Sequence, residues 1–178
     1  AMGFCLFNNV AIAAEHLRTV HGLARVAVID FDVHHGNGTQ HMFEADGGLF
    51  YASTHQMPLY PGTGASQEKG VGNIVNVPLL PMTGSAAFRE AITHKILPAL
   101  EKFQPEFLII SAGFDAHAAD PLAALQLTAE DFYWVTARLT EFAAKVCQGR
   151  VISCLEGGYE LEALGLSAAA HVRALMAG

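Results

Sequence analysis

The chain has 178 residues, of which 52% are hydrophobic, and its 10 basic and 17 acidic side chains give a formal net charge of −7. This length and composition predict a single folded domain with a sizeable core and exclude a disordered chain. The acidic balance without a basic stripe argues against direct nucleic acid binding, and no apolar run is long enough to span a membrane. Three cysteines in no pairing pattern predict free thiols and a cytoplasmic location.

Strand-like and helix-like segments alternate along the chain. Short apolar runs rich in β-branched and aromatic residues predict buried strands at 25–31, 49–54, 73–77, 107–111 and 150–155. Amphipathic patterns predict helices at 8–21, 85–103, 128–146 and 160–176. Pro98 is expected to kink or divide the second of these helices, and a Gly- and Pro-rich loop covers 58–72. The alternation predicts an α/β fold with a mostly parallel sheet flanked by helices.

The segment 29–40, IDFDVHHGNGTQ, places carboxylates and imidazoles directly after the first predicted strand. Such groups are costly to bury unless they are paired or bind a metal. Residues two apart on a strand point the same way, so Asp30, Asp32 and His34 are expected to converge where the strand ends. A mixed Asp/His set suits zinc or a similar divalent ion, and a polar turn is the alternative interpretation.

Two further predicted strands end in polar sequence. FLIISAGFDAHAADP ends in Asp115, and VISCLEGGYE ends in Glu156 and Tyr159. The carboxyl ends of parallel strands share one edge of the sheet, where ligands bind in open α/β folds. We therefore expect Asp32, His34 and Asp115 to be three metal ligands that leave an open position for water, as in catalytic zinc sites. Asp30 is better placed as an outer hydrogen-bond acceptor.

Tyr159 follows two glycines, Gly157 and Gly158, which let the backbone approach a ligand closely. A phenol in this position can donate a hydrogen bond to a developing oxyanion. Phe4 and Tyr60 either belong to the core or line a narrow apolar channel. For three other polar residues near the strand ends, a turn or cap is as good an interpretation as a functional role: His35, His117 and Asp120.

Five motifs together resemble the histone deacetylase family, which includes acetylpolyamine amidohydrolases. In the family's order along the chain they are GFCLFNN (3–9), DFDVHHGNGTQ (30–40), YPGTGA (60–65), SAGFDAHAADPL (111–122) and LEGGYE (155–160). The LEGGY wording and Asn37 resemble the class II branch, and the compact sequence is typical of a bacterial member. The resemblance implies the arginase–deacetylase α/β fold. It also implies zinc-dependent removal of acetyl groups from acetyl-lysine or acetylpolyamine-type amides.

The resemblance also implies individual roles. The matches to the zinc ligands are Asp32, His34 and Asp115, and the match to the transition-state phenol is Tyr159. The residues that match the groups orienting the family's tandem catalytic histidines are Asp30 and Asn37. The matches to the substrate channel are Gly3, Phe4, Tyr60, Gly157 and Gly158. A structural potassium (K+) site is matched, partly through backbone oxygens, by Asp30, Asp32, His34, Ser53 and Thr54.

The chain departs from the family pattern at its start. The tandem histidines normally lie shortly before the GFC motif, at which this chain begins. Residues 1–178 are therefore expected to be the C-terminal portion of a catalytic domain, with the zinc site but without the general base. Its sheet is expected to expose an edge or a face.

Two alternatives remain at this point. One is an inactive fragment or acyl-lysine-binding module, and the other is a dinuclear manganese hydrolase of the related arginase type. The second is disfavoured because Gly36 stands where a bridging carboxylate would be needed. A homo-oligomer is compatible with the sequence.

Overall fold

The strands form one parallel sheet. The computed structural model describes Met2 and residues 4–178, so the predicted channel residue Gly3 lies outside the described residues. All neighbouring strands are parallel, in the order β3-β2-β1-β4-β5. The strands are β1 (Val26–Asp30), β2 (Leu49–Gln56), β3 (Ile74–Leu79), β4 (Phe107–Ala112) and β5 (Val151–Leu155). The five predicted strands and the α/β class are confirmed.

Helices flank the sheet. In the described part of the chain they are α1 (Asn9–Thr19), α2 (Asn37–Phe43), α3 (Ser85–Ala91), a π-helix (Ile92–Ile96), α4 (Leu97–Phe103), α5 (Ala129–Val146) and α6 (Leu161–Ala177). The predicted helix 85–103 is divided as expected. Pro98 lies in the first turn of α4 and has no N–H to donate to the preceding turn, which is π-helical. None of these helices combines the length and hydropathy that a membrane crossing requires.

Two apolar layers cover the sheet. Every residue of β1 is buried, which explains why its sequence is a continuous apolar run rather than an alternating one. On one face, Ala27 and Ile29 pack in a core with residues of α3, α4 and α5, such as Phe88 and Phe132. On the other face, Val28 packs with residues of α1 and α2.

The two edges of the sheet differ. Tyr51 and Met57 of the β2 side donate their backbone N–H groups to Asn73 O and Leu79 O, so odd-numbered positions of β3 face β2. Pro78 therefore faces outward, where a missing N–H costs nothing. At the opposite edge β5 is partly exposed, with Ile152 at 39% and Leu155 at 63% relative accessibility. The expected exposure of an edge is present in the described residues.

The strand order reverses direction at the centre of the sheet. From β1 the chain steps to β2 and β3 on one side, and then crosses to β4 and β5 on the other. Ligands in open α/β sheets bind at such a switch point, beyond the carboxyl ends of the strands. In register, Asp30 at the end of β1 pairs with Ser111, and Ser111 pairs with Cys154. The loops that follow β1, β4 and β5 therefore meet at one edge, as predicted.

Asn73 closes the connection between α2 and β2. Its Nδ2 lies 2.7–3.0 Å from three backbone carbonyl oxygens, those of Phe43, Asp46 and Leu49. We expect Asn73→Ala to lower the free energy of unfolding by about 1–3 kcal/mol, because buried carbonyls lose their donor. Urea denaturation measures this change. The exposed Asn9 provides the control, since Asn9→Ala should change stability by less than about 0.5 kcal/mol.

His171 of α6 is buried beneath the loops that follow β1 and β4. The Thr136 hydroxyl donates to Phe132 O at 2.6 Å, so its oxygen accepts from His171 Nδ1 at 2.6 Å. His171 Nε2 lies 2.8 Å from the Ser153 hydroxyl. Burial lowers the pKa of His171 to about 4, so the folded protein keeps this imidazole neutral at pH values where the unfolded chain binds a proton.

This difference predicts a pH dependence of folding. Stability should rise with pH between about 4 and about 6.5 and level off above, because only the unfolded state is protonated at His171 in that window. In His171→Gln, the slope of unfolding free energy against pH should fall, because the unfolded state then binds up to one proton fewer relative to the folded state. Denaturant titrations from pH 4 to 8 measure the slope, and an unchanged slope would contradict the assignment.

Candidate metal centre

Asp32, His34 and Asp115 converge at the switch point. Asp32 and His34 lie in the loop after β1 and Asp115 in the loop after β4, and one candidate ligand atom from each lies within 4.8 Å of the others. His34 Nδ1 is 3.1 Å from Asp32 Oδ1 and 3.1 Å from Asp115 Oδ2. Ligand atoms of a tetrahedral site with bonds of about 2.0–2.2 Å are about 3.3–3.5 Å apart. The spacing therefore fits one small divalent cation.

Backbone N–H groups hold the two carboxylates in place. Val33 N–H donates to Asp115 Oδ1 at 2.8 Å, so the loop after β1 is hydrogen-bonded to the candidate ligand in the loop after β4. Asp32 accepts from His34 N–H at 2.8 Å and from Gly157 N–H at 2.9 Å. Each carboxylate is thus oriented by a neighbouring loop, and these hydrogen bonds connect the three loops.

Two glycines make this approach possible. A Cβ atom on Gly113 would collide with the Asp32 carboxylate, and a Cβ atom on Gly157 would collide with the carboxylates of both Asp32 and Asp115. Any other residue at these positions would push the carboxylates away from His34. Gly157 is therefore needed for close packing against the candidate ligands, whatever else it contacts.

The two carboxylates of the cluster favour a positive charge between them. Asp115 is fully buried, and this burial raises its pKa to about 6. Hydrogen bonds to Asp115 and Asp32 raise the pKa of His34 to about 10. Two carboxylates around one imidazole are stable when that imidazole is protonated or when a metal cation takes the proton's place. The donor set of two carboxylates and one imidazole nitrogen fits a divalent metal.

Asp30 lies behind Asp32 rather than among the candidate ligands. Its Oδ1 accepts from Asp32 N–H at 3.0 Å and its Oδ2 accepts from Tyr51 Oη at 2.8 Å, and Tyr51 in turn accepts from Gly36 N–H at 3.0 Å. Burial, followed by the charge of Asp32, raises the pKa of Asp30. This carboxylate therefore supports the backbone of the loop that carries Asp32.

A cavity of about 1080 Å³ opens over the cluster. Its walls include Phe4, Tyr60, Gly157 and Tyr159, and the rings of Phe4 and Tyr159 pack edge to face at 5.8 Å. The backbone N–H of Tyr159 donates to Asp120 Oδ2 at 2.8 Å. Burial and the charges of Asp115 and Asp32 raise the pKa of Tyr159 to about 12. Its phenol is therefore a proton donor at neutral pH.

The remaining sequence-predicted residues lie in different places. Gly158 has a φ of 140° and sits against Leu164 and Phe114, outside the set that lines the cavity. Asn37 begins α2 at the cavity rim, and its Nδ2 lies 3.3 Å from Met2 Sδ. Ser53 and Thr54 are buried in β2, where Ser53 pairs with Asp30. The potassium site formed with these residues stays a prediction.

Sequence reasoning assigned no role to Glu156. Its Oε1 accepts from the Ser111 hydroxyl at 3.1 Å, and both residues line the cavity beside Asp30 and Asp32. Burial raises the pKa of the Glu156 carboxyl, with smaller contributions from Asp32 and Asp115. The sequence feature that could have indicated a role for Glu156 is its position, directly after a predicted strand and before two glycines.

Asp120 and His117 both stabilise turns, but Asp120 also contacts the candidate site. Asp120 accepts the backbone N–H groups of Leu122 and Tyr159, so it shapes a turn and also fixes the backbone of the candidate phenol. His117 Nδ1 accepts from Ala119 N–H at 3.1 Å, which is a local turn contact. The structural interpretation thus fits His117, whereas Asp120 serves both purposes.

The comparisons with known proteins identify the family. A sequence model described as the histone deacetylase domain matches residues 1–175, and the chain belongs to this family. It is 49% identical over 179 residues to "Histone deacetylase 10, chloroplastic" of Oryza sativa subsp. japonica, covering 98% of this chain and 40% of that protein. It is 40% identical over 186 residues to the "Polyamine deacetylase HDAC10" of Homo sapiens, covering 99% of this chain and 27% of that protein.

A solved structure supports the same assignment. The crystal structure of the HDA15 HD domain superimposes with a TM-score of 0.92 at 40% identity, covering 99% of this chain and 51% of that chain. The predicted arginase–deacetylase fold is confirmed by this match. The chain thus spans about half or less of the length of these proteins. Because one relative is named as chloroplastic, the cytoplasmic location stays a prediction.

The cluster predicts one metal ion per chain. Asp115→Asn should weaken zinc binding by more than about 100-fold, because changing even the groups that orient a ligand typically costs about 10–100-fold. Zinc titration by calorimetry measures affinity and stoichiometry. His117→Asn is the matched control and should bind one zinc ion as tightly as the unmodified chain. A stoichiometry of two that falls to one in His117→Asn would contradict the single-metal prediction.

Proposed function

We propose that this chain forms the metal-binding and oxyanion-stabilising part of a zinc-dependent deacetylase that acts on acetyl-lysine or acetylpolyamine-type amides. The observation that carries the proposal is the Asp32–His34–Asp115 cluster, because its members Asp32 and His34 line the same cavity as the protonated phenol of Tyr159. Membership of the histone deacetylase family supports amide hydrolysis. The names of the two relatives include both a histone and a polyamine deacetylase, so both substrate classes are retained.

Two observations favour a mononuclear zinc site over a dinuclear manganese site. A Cβ atom on Gly36 would lie 2.5 Å from Tyr51 Oη and 2.6 Å from Asp30 Oδ2, so no side chain fits where a bridging carboxylate would be needed. His117 is engaged with Ala119 N–H rather than grouped with the cluster. Three protein ligands with an open fourth position are the usual arrangement of catalytic zinc.

The residues of this chain then have separate roles in amide hydrolysis. Asp32, His34 and Asp115 would hold the metal, which when bound polarises the acyl carbonyl and lowers the pKa of water. Tyr159, protonated at neutral pH, donates a hydrogen bond to the carbonyl oxygen as negative charge develops on it. Phe4 and Tyr60, which are both exposed residues of the cavity wall, offer apolar surface to the acyl chain.

Proton transfer needs a further group. Of the described histidines near the cluster, His34 belongs to the candidate ligand set, and the side chain of His35 is hydrogen-bonded to Thr63 and Gln40. By the family resemblance, a tandem histidine pair oriented by Asp30 and Asn37 takes the proton from water and returns it to the leaving amine. The exposed edge of β5 is a surface on which a segment that carries this pair can add to the sheet.

The role of Tyr159 can be tested with acetyl-lysine peptide hydrolysis. The assay compares the 178-residue chain with a version that restores the histidine-bearing segment, both loaded with zinc. Activity is expected only in the restored version, and Tyr159→Phe should lower its kcat by about 10²–10³-fold, because one oxyanion donor is lost. Zinc affinity should not change, since Tyr159 is not in the ligand cluster.

The exposed Tyr133 of α5 provides the matched control, and Tyr133→Phe should leave kcat unchanged. Equal kcat values in Tyr159→Phe and the unmodified restored protein would refute the proposed role of the phenol. A restored protein that binds zinc and acetyl-lysine peptide without hydrolysing it would instead support the acyl-lysine-binding module.

A further inference from the structure

We propose that His35 and His55 are positioning residues that fix the loop carrying Tyr60 over the metal centre and thereby set the affinity for the acyl substrate. The loop is the β2–β3 connection, residues 57–73. The identity of the substrate rests on the proposed function above, whereas the anchoring of the loop does not. The argument depends on the contacts of the two imidazoles, on one glycine and on one glutamate.

His35 follows His34 in sequence but contacts the loop rather than the metal cluster. Its Nε2 lies 2.9 Å from Gln40 Oε1, and Gln40 Nε2 donates to Glu68 at 2.7 Å, so the Gln40 oxygen must accept and His35 Nε2 carries the proton. His35 Nδ1 is then an acceptor, and it receives the Thr63 hydroxyl at 2.7 Å. One loop side chain is thus bonded directly to His35.

His55 holds the next loop residue through its backbone. Its Nε2 donates to Gly64 O at 2.9 Å, and its Nδ1 accepts from the Ser53 hydroxyl at 2.9 Å. The His35 and His55 rings lie 4.8 Å apart between centroids, and both residues are buried. Consecutive loop residues, Thr63 and Gly64, are therefore each bonded to one member of the imidazole pair.

Gly64 rests directly on both rings. Its φ is 91°, a conformation that favours glycine. A Cβ atom there would lie 2.5 Å from His55 Nε2 and 2.6 Å from His35 Cγ. These distances leave no room for a side chain at Gly64, so the loop backbone packs directly against both imidazole rings.

Glu68 closes the same network from the far side of the loop. Its carboxylate accepts from Gly64 N–H at 3.2 Å and from Ala65 N–H at 3.0 Å, as well as from Gln40 of α2. The loop is thereby tied to α2 as well as to β2. The loop residues in these bonds, Gly64, Ala65 and Glu68, lie within eight residues of Tyr60.

The consequence for the cavity follows from where Tyr60 lies. It stands three residues before Thr63, its ring centroid is 6.5 Å from that of His34, and it forms part of the cavity wall. His34 contributes to the metal cluster while His35 bonds the loop that carries the wall. This dipeptide therefore links the candidate metal cluster to the loop that carries the wall, and loosening the loop should widen the cavity.

The experiment uses the zinc-loaded chain and two variants of Thr63. Thr63→Val has nearly the same shape but lacks the hydroxyl, whereas Thr63→Ser retains it. In Thr63→Val we expect faster hydrogen exchange at loop amides near residue 64. The Kd of a fluorescent acetyl-lysine peptide, measured by anisotropy, should rise about tenfold because the buried His35 imidazole loses one hydrogen bond to the loop. Thr63→Ser should restore both values, and zinc affinity should be the same in all three proteins.

The control is Thr19→Val at the exposed end of α1, which removes a hydroxyl bonded to Glu15 O and should change neither readout. Equal loop exchange in Thr63→Val and the unmodified chain would overturn the anchoring. Faster exchange with an unchanged peptide Kd would overturn the role in substrate affinity. If the unmodified chain binds zinc but not the peptide, the proposed substrate fails, and the exchange comparison still decides whether the loop is anchored.

Discussion

The centre of this molecule depends on a fully buried carboxylate, Asp115, held next to a second carboxylate and one imidazole. Burial disfavours the charged form of Asp115 and, with a smaller contribution from the charge of Asp32, raises its pKa. The fold offsets this with backbone N–H donors from the loops after β1 and β5. Such donors are available because the loops after β1, β4 and β5 meet at one edge of the sheet, at the point where the strand order reverses.

The layer beneath the cluster keeps the loops in register. Phe31 and Phe114 immediately precede Asp32 and Asp115, and both rings pack against Phe132 and against His171 at centroid distances of 5.1–6.0 Å. Close-packed aromatic groups transmit small displacements rather than absorbing them. The positions of the two carboxylates are therefore set by the core as well as by their own hydrogen bonds.

Much of this arrangement could be predicted from the sequence, because buried parallel strands have a continuous apolar signature. The strand ends then placed Asp32, His34 and Asp115 together. The alternation argument was less accurate: β1 ends at Asp30, so Asp32 and His34 converge with Asp115 through the hydrogen bonds of a loop. Asp30 instead turns towards Tyr51.

Other features had no local signal. The short helix α2, seven residues containing Asn37 and Gly38, lacks an apolar period of its own and is set by its tertiary contacts. The side chains of His34 and His35 contact different parts of the structure, and their adjacent positions in the sequence could not predict this, because they lie in a turn rather than in a strand. Their partners, Asp115 and Thr63, lie 81 and 28 residues away along the chain.

The unequal edges of the sheet have one more consequence. On the β3 side, Pro78 removes an outward donor, and the outward N–H of Ile74 is used by Lys69 O, so that margin offers little to a pairing strand. The β5 segment VISCL contains no proline and ends in an exposed leucine. The β5 edge is therefore the more favourable place for an added strand. An added strand, from the same polypeptide or from a second copy, would lie beside the loop that carries Glu156, Gly157 and Tyr159, next to the candidate metal centre.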